Sequence, residues 1–196
     1  MRGRIYILLI AICFLLYGCD MFKTRTPQEP DQNSTIYQPA TSASILFDNF
    51  STAFKEMNDG EYYKCFFAGD SSIKYQFIPE PTSAARYPAV FSNWNADNER
   101  TFILGLNSYL DPLTKPDLQW ESINYELQTA DSAVLLTQYV INITAKNQVS
   151  TYRGASRLTF YLAQEGIWKI SRWQDLKYNE RDTSQTWSSL KGQVSF

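Results

Sequence analysis

The chain of 196 residues contains no histidine, only three cysteines and only eight glycines. Without histidine there is no imidazole base, no imidazole metal ligand and no switch that titrates near neutral pH. The glycines form no phosphate-cradling loop. No Cys or His cluster stands at metal-ligand spacing, and no Ser/His/Asp set can be assembled. No cofactor and no metal site is therefore expected. A basic footprint is missing as well. Lys+Arg total 18 against 20 Asp+Glu, a net charge of −2, and removing residues 1–18 takes away Arg2 and Arg4 and leaves −4. That balance excludes nucleic acid as a partner, because phosphate contacts need clustered cations.

An apolar run long enough to cross a bilayer is also lacking. Ile5 to Tyr17 is uncharged, but it has 13 residues where a span needs roughly 20. Preceded by Arg2 and Arg4, it matches the core of an export signal. An uncleaved signal-anchor is the other reading. The next residues, Leu16-Tyr17-Gly18-Cys19, resemble the bacterial lipobox, with Tyr17 an unusual occupant of its place. The resemblance implies residues 1–18 as a lipoprotein signal peptide and Cys19 as the lipidated first residue of the mature chain. Several acyl chains would hold it at a membrane, since each buried methylene contributes about 0.8 kcal/mol. The implied address is the bacterial envelope, periplasm-facing or at the surface. Asp20 resembles an inner-membrane retention signal, a rule that differs between bacterial groups, so the leaflet stays open. With Cys13 in the signal and Cys19 lipidated, Cys65 is left alone in the apolar run Tyr62 to Phe67, where it reads as a small buried hydrophobe.

What the chain has in quantity is apolar and aromatic material, 44% and 15% of residues. A domain of this size buries roughly 68–70% of its unfolded surface without staples. Residues 19–41 are polar and carry Pro27, Pro30 and Pro39, so they read as a flexible tether. From residue 42 the pattern becomes periodic. Leu46, Phe50, Ala53, Phe54 and Met57 fall on one stripe of a helix, with Ser42 or Ser44 as its cap and Asn58-Asp59-Gly60 as its end. A short helix, Glu61 to Phe67, follows. Ser72 to Ile78 reads as a first strand, and Pro79 to Trp94 as a loop. Asn95 or Asp97 caps a third helix through Leu110, with Asp97 and Glu99 favouring its positive end.

Leu118 to Lys177 carries four strand patterns in succession. Ile123, Tyr125 and Leu127 alternate with polar residues. Ala133 to Thr144 is β-branched and aromatic on both faces, so it belongs in the centre, covered on both sides. Thr151 to Gln164 comes third. Ile167 to Lys177 sets Trp168 and Ile170 on one face against Trp173 and Asp175 on the other. Short links between neighbours require antiparallel pairing, because parallel crossovers need a dozen or more residues. The expectation is an α+β domain over 42–178, a curved antiparallel sheet of one early strand plus a four-strand meander packed against about three N-terminal helices. Residues 179–196 form a tail that packs back on the domain; a partner-binding strand is the sharper alternative.

In the helical opening Leu46-x3-Phe50-x2-Ala53-Phe54-x2-Met57-Asn58-Asp59-Gly60-Glu61-Tyr62, a long helix runs into a short one. Together with the late strand Gly166 to Asp175, this order resembles the nuclear transport factor two-like superfamily, over residues 42 to 177. The resemblance implies a cone that can enclose a pocket, and a homodimer through the open sheet face. The segment Trp187-Ser188-Ser189-Leu190-Lys191 resembles the end of uncharacterised bacterial lipoproteins. Enzymes of the superfamily work with a carboxylate base facing Tyr and acid donors, or with histidine; no matching Tyr-and-Asp set aligns here, and histidine is absent. Asp175 is the one catalytic candidate, a carboxylate whose burial would raise its pKa. Tyr75, Trp94, Tyr139, Arg157 and Trp173 are candidates for lining the mouth. The plainer reading pairs Asp175 with Arg157 or Arg172 and leaves the tryptophans as core. Two functions follow: a non-catalytic, lipid-anchored domain that binds an unknown protein or small ligand or serves assembly, and a hydratase- or isomerase-type enzyme with Asp175 as base.

Overall fold

A computed structural model describes residues 36–69 and 72–195. The signal at 1–18, Cys19 and the tether up to 35 lie outside the described residues.

Helix α1 (Ala43–Lys55) starts at Ser42, whose hydroxyl accepts the Ile45 N–H, and buries Leu46, Phe47, Phe50, Ala53 and Phe54. The chain is already tied down before it. The Trp168 N–H donates to the Ala40 carbonyl and the Asn49 side-chain amide donates to the Gln38 carbonyl, so the ordered body begins ahead of residue 42. The turn that ends α1 is made by Met57 at φ 57°, not by Gly60. Gly60 lies inside α2 (Asp59–Lys64), which Asn58 caps by accepting the Glu61 N–H.

The first strand is shorter than the alternation at Ser72–Ile78 suggests: β1 is Gln76–Ile78 and pairs parallel with the last strand. The segment read as a loop contains two short helices, α3 (Pro81–Arg86) and α4 (Pro88–Phe91), each opened by a proline. Proline has no N–H to lose there and its φ is already helical. Glu80 caps α3 by accepting the Thr82 and Ser83 N–H groups. Helix α5 (Ala96–Tyr109) opens with Asn95 and Asn98 capping each other reciprocally.

The remaining strands are β2 (Asp117–Gln128), β3 (Ser132–Ala145), β4 (Gln148–Leu162) and β5 (Trp168–Leu176). They form an antiparallel meander, and with the parallel β1 at its edge the sheet order is β1-β5-β4-β3-β2. The sheet is curved and unclosed, and the helices cover one side only. β3 therefore buries Ala133, Leu135, Thr137, Tyr139, Ile141 and Ile143 and leaves the alternate residues half-exposed. Its second face is not covered by helices as its composition suggested. The ion pairs Arg153–Glu121 and Arg157–Glu126 run from β4 to β2 and so pass over it.

One irregularity decides which side chains enter the cone. The β4–β5 register shifts between Thr159 and Phe160, leaving Ser171 as an extra residue on β5. Parity flips at that bulge. Trp168 and Ile170 before it, and Trp173 and Asp175 after it, all face the interior, where strict alternation puts them on opposite sides. The last helix, α6 (Trp187–Val194), lies against the same interior, with Trp187, Ser188, Leu190, Lys191 and Gly192 buried.

Candidate functional site

The interior of the cone contains two buried polar centres inside a shell of rings. Trp187 is the hub of the shell. It stacks near-parallel on Phe50 and Trp120, and meets Trp173 edge-on with centroids 4.8 Å apart. Phe54 and Tyr139 close the remaining sides. Such pairs contribute about 0.5–1.5 kcal/mol each beyond their buried area. The Trp187 Nε1–H is buried with no hydrogen-bond partner among the described residues, a polar cost of seating this residue centrally.

The first centre is built around Asp175 on β5. Its Oδ1 accepts the Tyr139 hydroxyl at 2.6 Å; its Oδ2 accepts the Ser188 N–H at 2.7 Å and the Ser188 hydroxyl at 2.5 Å. The Tyr139 oxygen in turn accepts the Trp187 N–H at 2.7 Å. Two amides in the first turn of α6 thus end on a carboxylate and on the phenol it holds, where the helix dipole favours negative charge. The Ser188 hydroxyl also accepts the Glu80 N–H at 2.9 Å, tying the start of α3 to the same point. Burial raises the pKa of Asp175, and the Ser188 and Tyr139 hydrogen bonds oppose that rise. Burial and the Asp175 charge push Tyr139 well above an ordinary phenol.

The second centre is an ion pair with no exposure at either end: Lys191 Nζ on α6 stands 2.6 Å from Glu99 Oε1 on α5. The same Oε1 accepts the Tyr75 hydroxyl at 2.6 Å and the Trp94 indole N–H at 2.7 Å, while Oε2 accepts the Tyr62 hydroxyl at 3.3 Å. The ammonium lies 3.6 Å from the centroid of Phe77 and 3.7 Å from that of Trp173. Burial pushes the Lys191 ammonium down to about 8, with the Glu99 charge working against the fall. Burial, then the charge on Glu99, pushes Tyr62 and Tyr75 well up.

The structure brings five of the six candidate residues to this interior. Tyr75, Trp94 and Trp173 surround the Glu99 centre, and Tyr139 and Asp175 form the other. Arg157 does not join them. Its guanidinium pairs with Glu126 at 2.6 Å on the far face, because Arg157 has the opposite parity on β4 from buried Leu158. Asp175 accordingly pairs with neither Arg157 nor Arg172, the latter exposed on β5. Glu99, expected to favour the positive end of its helix, is fully buried. Lys191 and Ser188 were not singled out at all. A signal for both charges was present: Glu99 shares a helical stripe with Ala96, Phe102, Ile103 and Leu106, and Lys191 one with Trp187 and Leu190. A charge on an apolar stripe needs a buried partner of opposite sign.

Chemically, both carboxylates are engaged. Asp175 spends its oxygens on α6 and Tyr139, and Glu99 accepts four donors. Two depressions of about 500 Å³ (lined by Phe67, Ile73, Leu162 and Lys169 among others) and about 430 Å³ (Val90, Trp94, Gly105 and Val194 among others) are lined by neither carboxylate.

No protein-family model matches the chain by sequence, and a search of curated proteins gives no match. Solved structures do match by shape. A putative aromatic ring hydroxylase from Novosphingobium aromaticivorans superposes with TM-score 0.54 at 10% identity, covering 69% of this chain and 86% of its own. A putative scytalone dehydratase from the same organism gives 0.52 at 10% identity, with 74% and 89% covered. A nuclear transport factor 2-like superfamily protein from Salmonella enterica gives 0.52 at 10% identity, with 70% and 89% covered. Similarity at that identity is a similarity of fold.

Proposed function

From the premise that this chain has the nuclear transport factor 2-like cone fold, we propose that it is a lipid-anchored domain of the bacterial envelope that binds or assembles and does not catalyse. The observation that carries the non-catalytic part is the occupied interior: α6 fills the cone, and Asp175 spends both oxygens holding that helix. A general base must lie within hydrogen-bond reach of the proton it takes, and Asp175 is buried and lines neither depression. The address rests on Arg2, Arg4, the apolar run to Tyr17 and Leu16-Tyr17-Gly18-Cys19. The tether after Cys19 would carry the domain clear of the headgroups, with a reach of roughly 25 Å. Partners are an unidentified envelope protein or small ligand, or a second copy across the outer sheet face.

The test of the address is metabolic labelling with an alkyne fatty acid in a bacterial host, followed by membrane fractionation. Wild type incorporates label and sediments with membranes, and Cys19→Ser does neither. A wild-type chain that stays unlabelled removes the anchor. The enzyme alternative keeps one supporting feature, a buried carboxyl of raised pKa hydrogen-bonded to a tyrosine. It requires turnover of some hydratase- or isomerase-type substrate that Asp175→Asn abolishes. Partner capture from envelope extracts that is equal for wild type and that variant favours the non-catalytic reading.

A further inference from the structure

The Glu99 centre has the chemistry of a receptor, and its construction is separable from the group it holds. Glu99 and Phe102 come from α5, Phe77 from β1, Trp94 from the segment before α5, and Trp173 from β5. Tyr62 on α2 and Tyr75 before β1 fix the carboxylate by hydrogen bonds. None of these residues lies on α6. What α6 supplies is one ammonium on an alkyl stem. That ammonium is ringed by Phe77 at 3.6 Å, Trp173 at 3.7 Å, Trp94 at 5.1 Å and Phe102 at 5.8 Å, all within the roughly 6 Å over which a ring face attracts a cation. On its open side it donates to Glu99 at 2.6 Å.

We propose that the cone contains a binding site for primary alkylammonium groups, formed by Glu99 and the rings of Phe77, Trp94, Phe102 and Trp173, which Lys191 occupies in cis. The chemistry sets the selectivity. The carboxylate requires an N–H donor at hydrogen-bond distance, so a quaternary ammonium satisfies the rings but not Glu99. A neutral alcohol satisfies neither the charge nor the ring quadrupoles. The four-carbon stem of Lys191 is the pattern for an apolar chain leading to the nitrogen. A ligand of this class enters when the Lys191 side chain is removed or α6 is lifted. The proposal rests on the interior alone and is independent of lipidation and of the envelope role.

The test uses the full-length chain. Lys191→Ala removes three methylenes and the ammonium, so the fragment that replaces them is n-propylammonium. Lys191→Met fills the same space without charge and serves as the control. Thermal unfolding is followed with n-propylammonium chloride, 1-propanol or tetramethylammonium chloride, at constant ionic strength. Lys191→Ala is expected to melt roughly 10 °C below wild type, since it takes the counter-charge from buried Glu99 and leaves a cavity where the side chain stood. Millimolar n-propylammonium should recover at least half of that loss. 1-Propanol and tetramethylammonium should recover little, and wild type and Lys191→Met should not respond. Equal recovery by 1-propanol, or no recovery by the amine in a folded variant, overturns the proposal. If Lys191→Ala does not fold in buffer, its soluble yield on dilution from urea reads the same question. Yield with the amine and not with 1-propanol supports the site, and no difference between them overturns it.

Discussion

Removing one charge from the Glu99–Lys191 pair should cost more than removing both. At zero exposure and 2.6 Å, Glu99→Gln leaves an ammonium among four rings without its counter-charge. A buried pair broken from one side costs about 3–5 kcal/mol. Lys191→Met leaves the carboxylate, but Tyr75, Trp94 and Tyr62 still donate to it. Hydrogen bonds to a charged group contribute about 1.5–3 kcal/mol each, so this variant should lose less, about 2–3 kcal/mol. Glu99→Gln combined with Lys191→Met has no buried charge, and apolar replacement of a buried pair is often neutral or stabilising. The double variant should stand within about 2 kcal/mol of wild type and above either single variant. The assay is equilibrium unfolding in urea at pH 7, read by tryptophan fluorescence, with unchanged m-values as the check that each variant unfolds the same structure. Additive losses, with the double variant as weak as the two singles summed, would refute the reasoning, because groups that do not meet do not couple.

Asp175→Asn should lower stability by about 2–3 kcal/mol, since one acceptor is lost from a buried set that holds Ser188 twice. Hydrogen exchange at the amides of 187–189 should rise in that variant more than in β3; equal rises would mean that Asp175 does not latch α6. Replacing Gly192 by Ala drives the new Cβ into the Tyr87 ring, so a loss of about 1–3 kcal/mol should outweigh the usual helical gain. A more stable Gly192→Ala would place Tyr87 elsewhere. The pH dependence carries a definite sign. Lys191 falls from 10.5 to about 8 in the folded state, so between those values the unfolded chain binds the extra proton. Stability relative to Lys191→Met should therefore rise from about pH 8 upward. Taking the difference from Lys191→Met removes the opposite slope that the buried Cys65 thiol and the buried tyrosines, both raised by burial, give to each protein at higher pH. A flat or falling difference in that window contradicts a buried ammonium at Lys191.

What the amino-acid sequence determined was local. Ser42 and Asn95 cap their helices because each is a short polar side chain ahead of an apolar stripe, whereas the short helix is capped by Asn58 and not by Asp59, the residue after it. The short links between the last four strands permit only antiparallel neighbours, so the meander was legible, as was the order of elements that resembles the cone fold. Register was not legible. A single extra residue at Ser171 turns Trp173 and Asp175 to the same side as Trp168 and Ile170, and nothing in the alternation marks where a ladder slips. The parallel pairing of β1 was equally hidden, because three residues acquire a strand's hydrogen bonds only from a partner nearly a hundred positions away. The same holds for the interior. Glu99 and Lys191 are 92 residues apart and nothing along the chain links them; only the folded cone brings them to 2.6 Å and removes the water that would have screened them. Hydrophobic periodicity is a property of neighbours along the chain, whereas a buried ion pair is a property of the space the whole chain encloses.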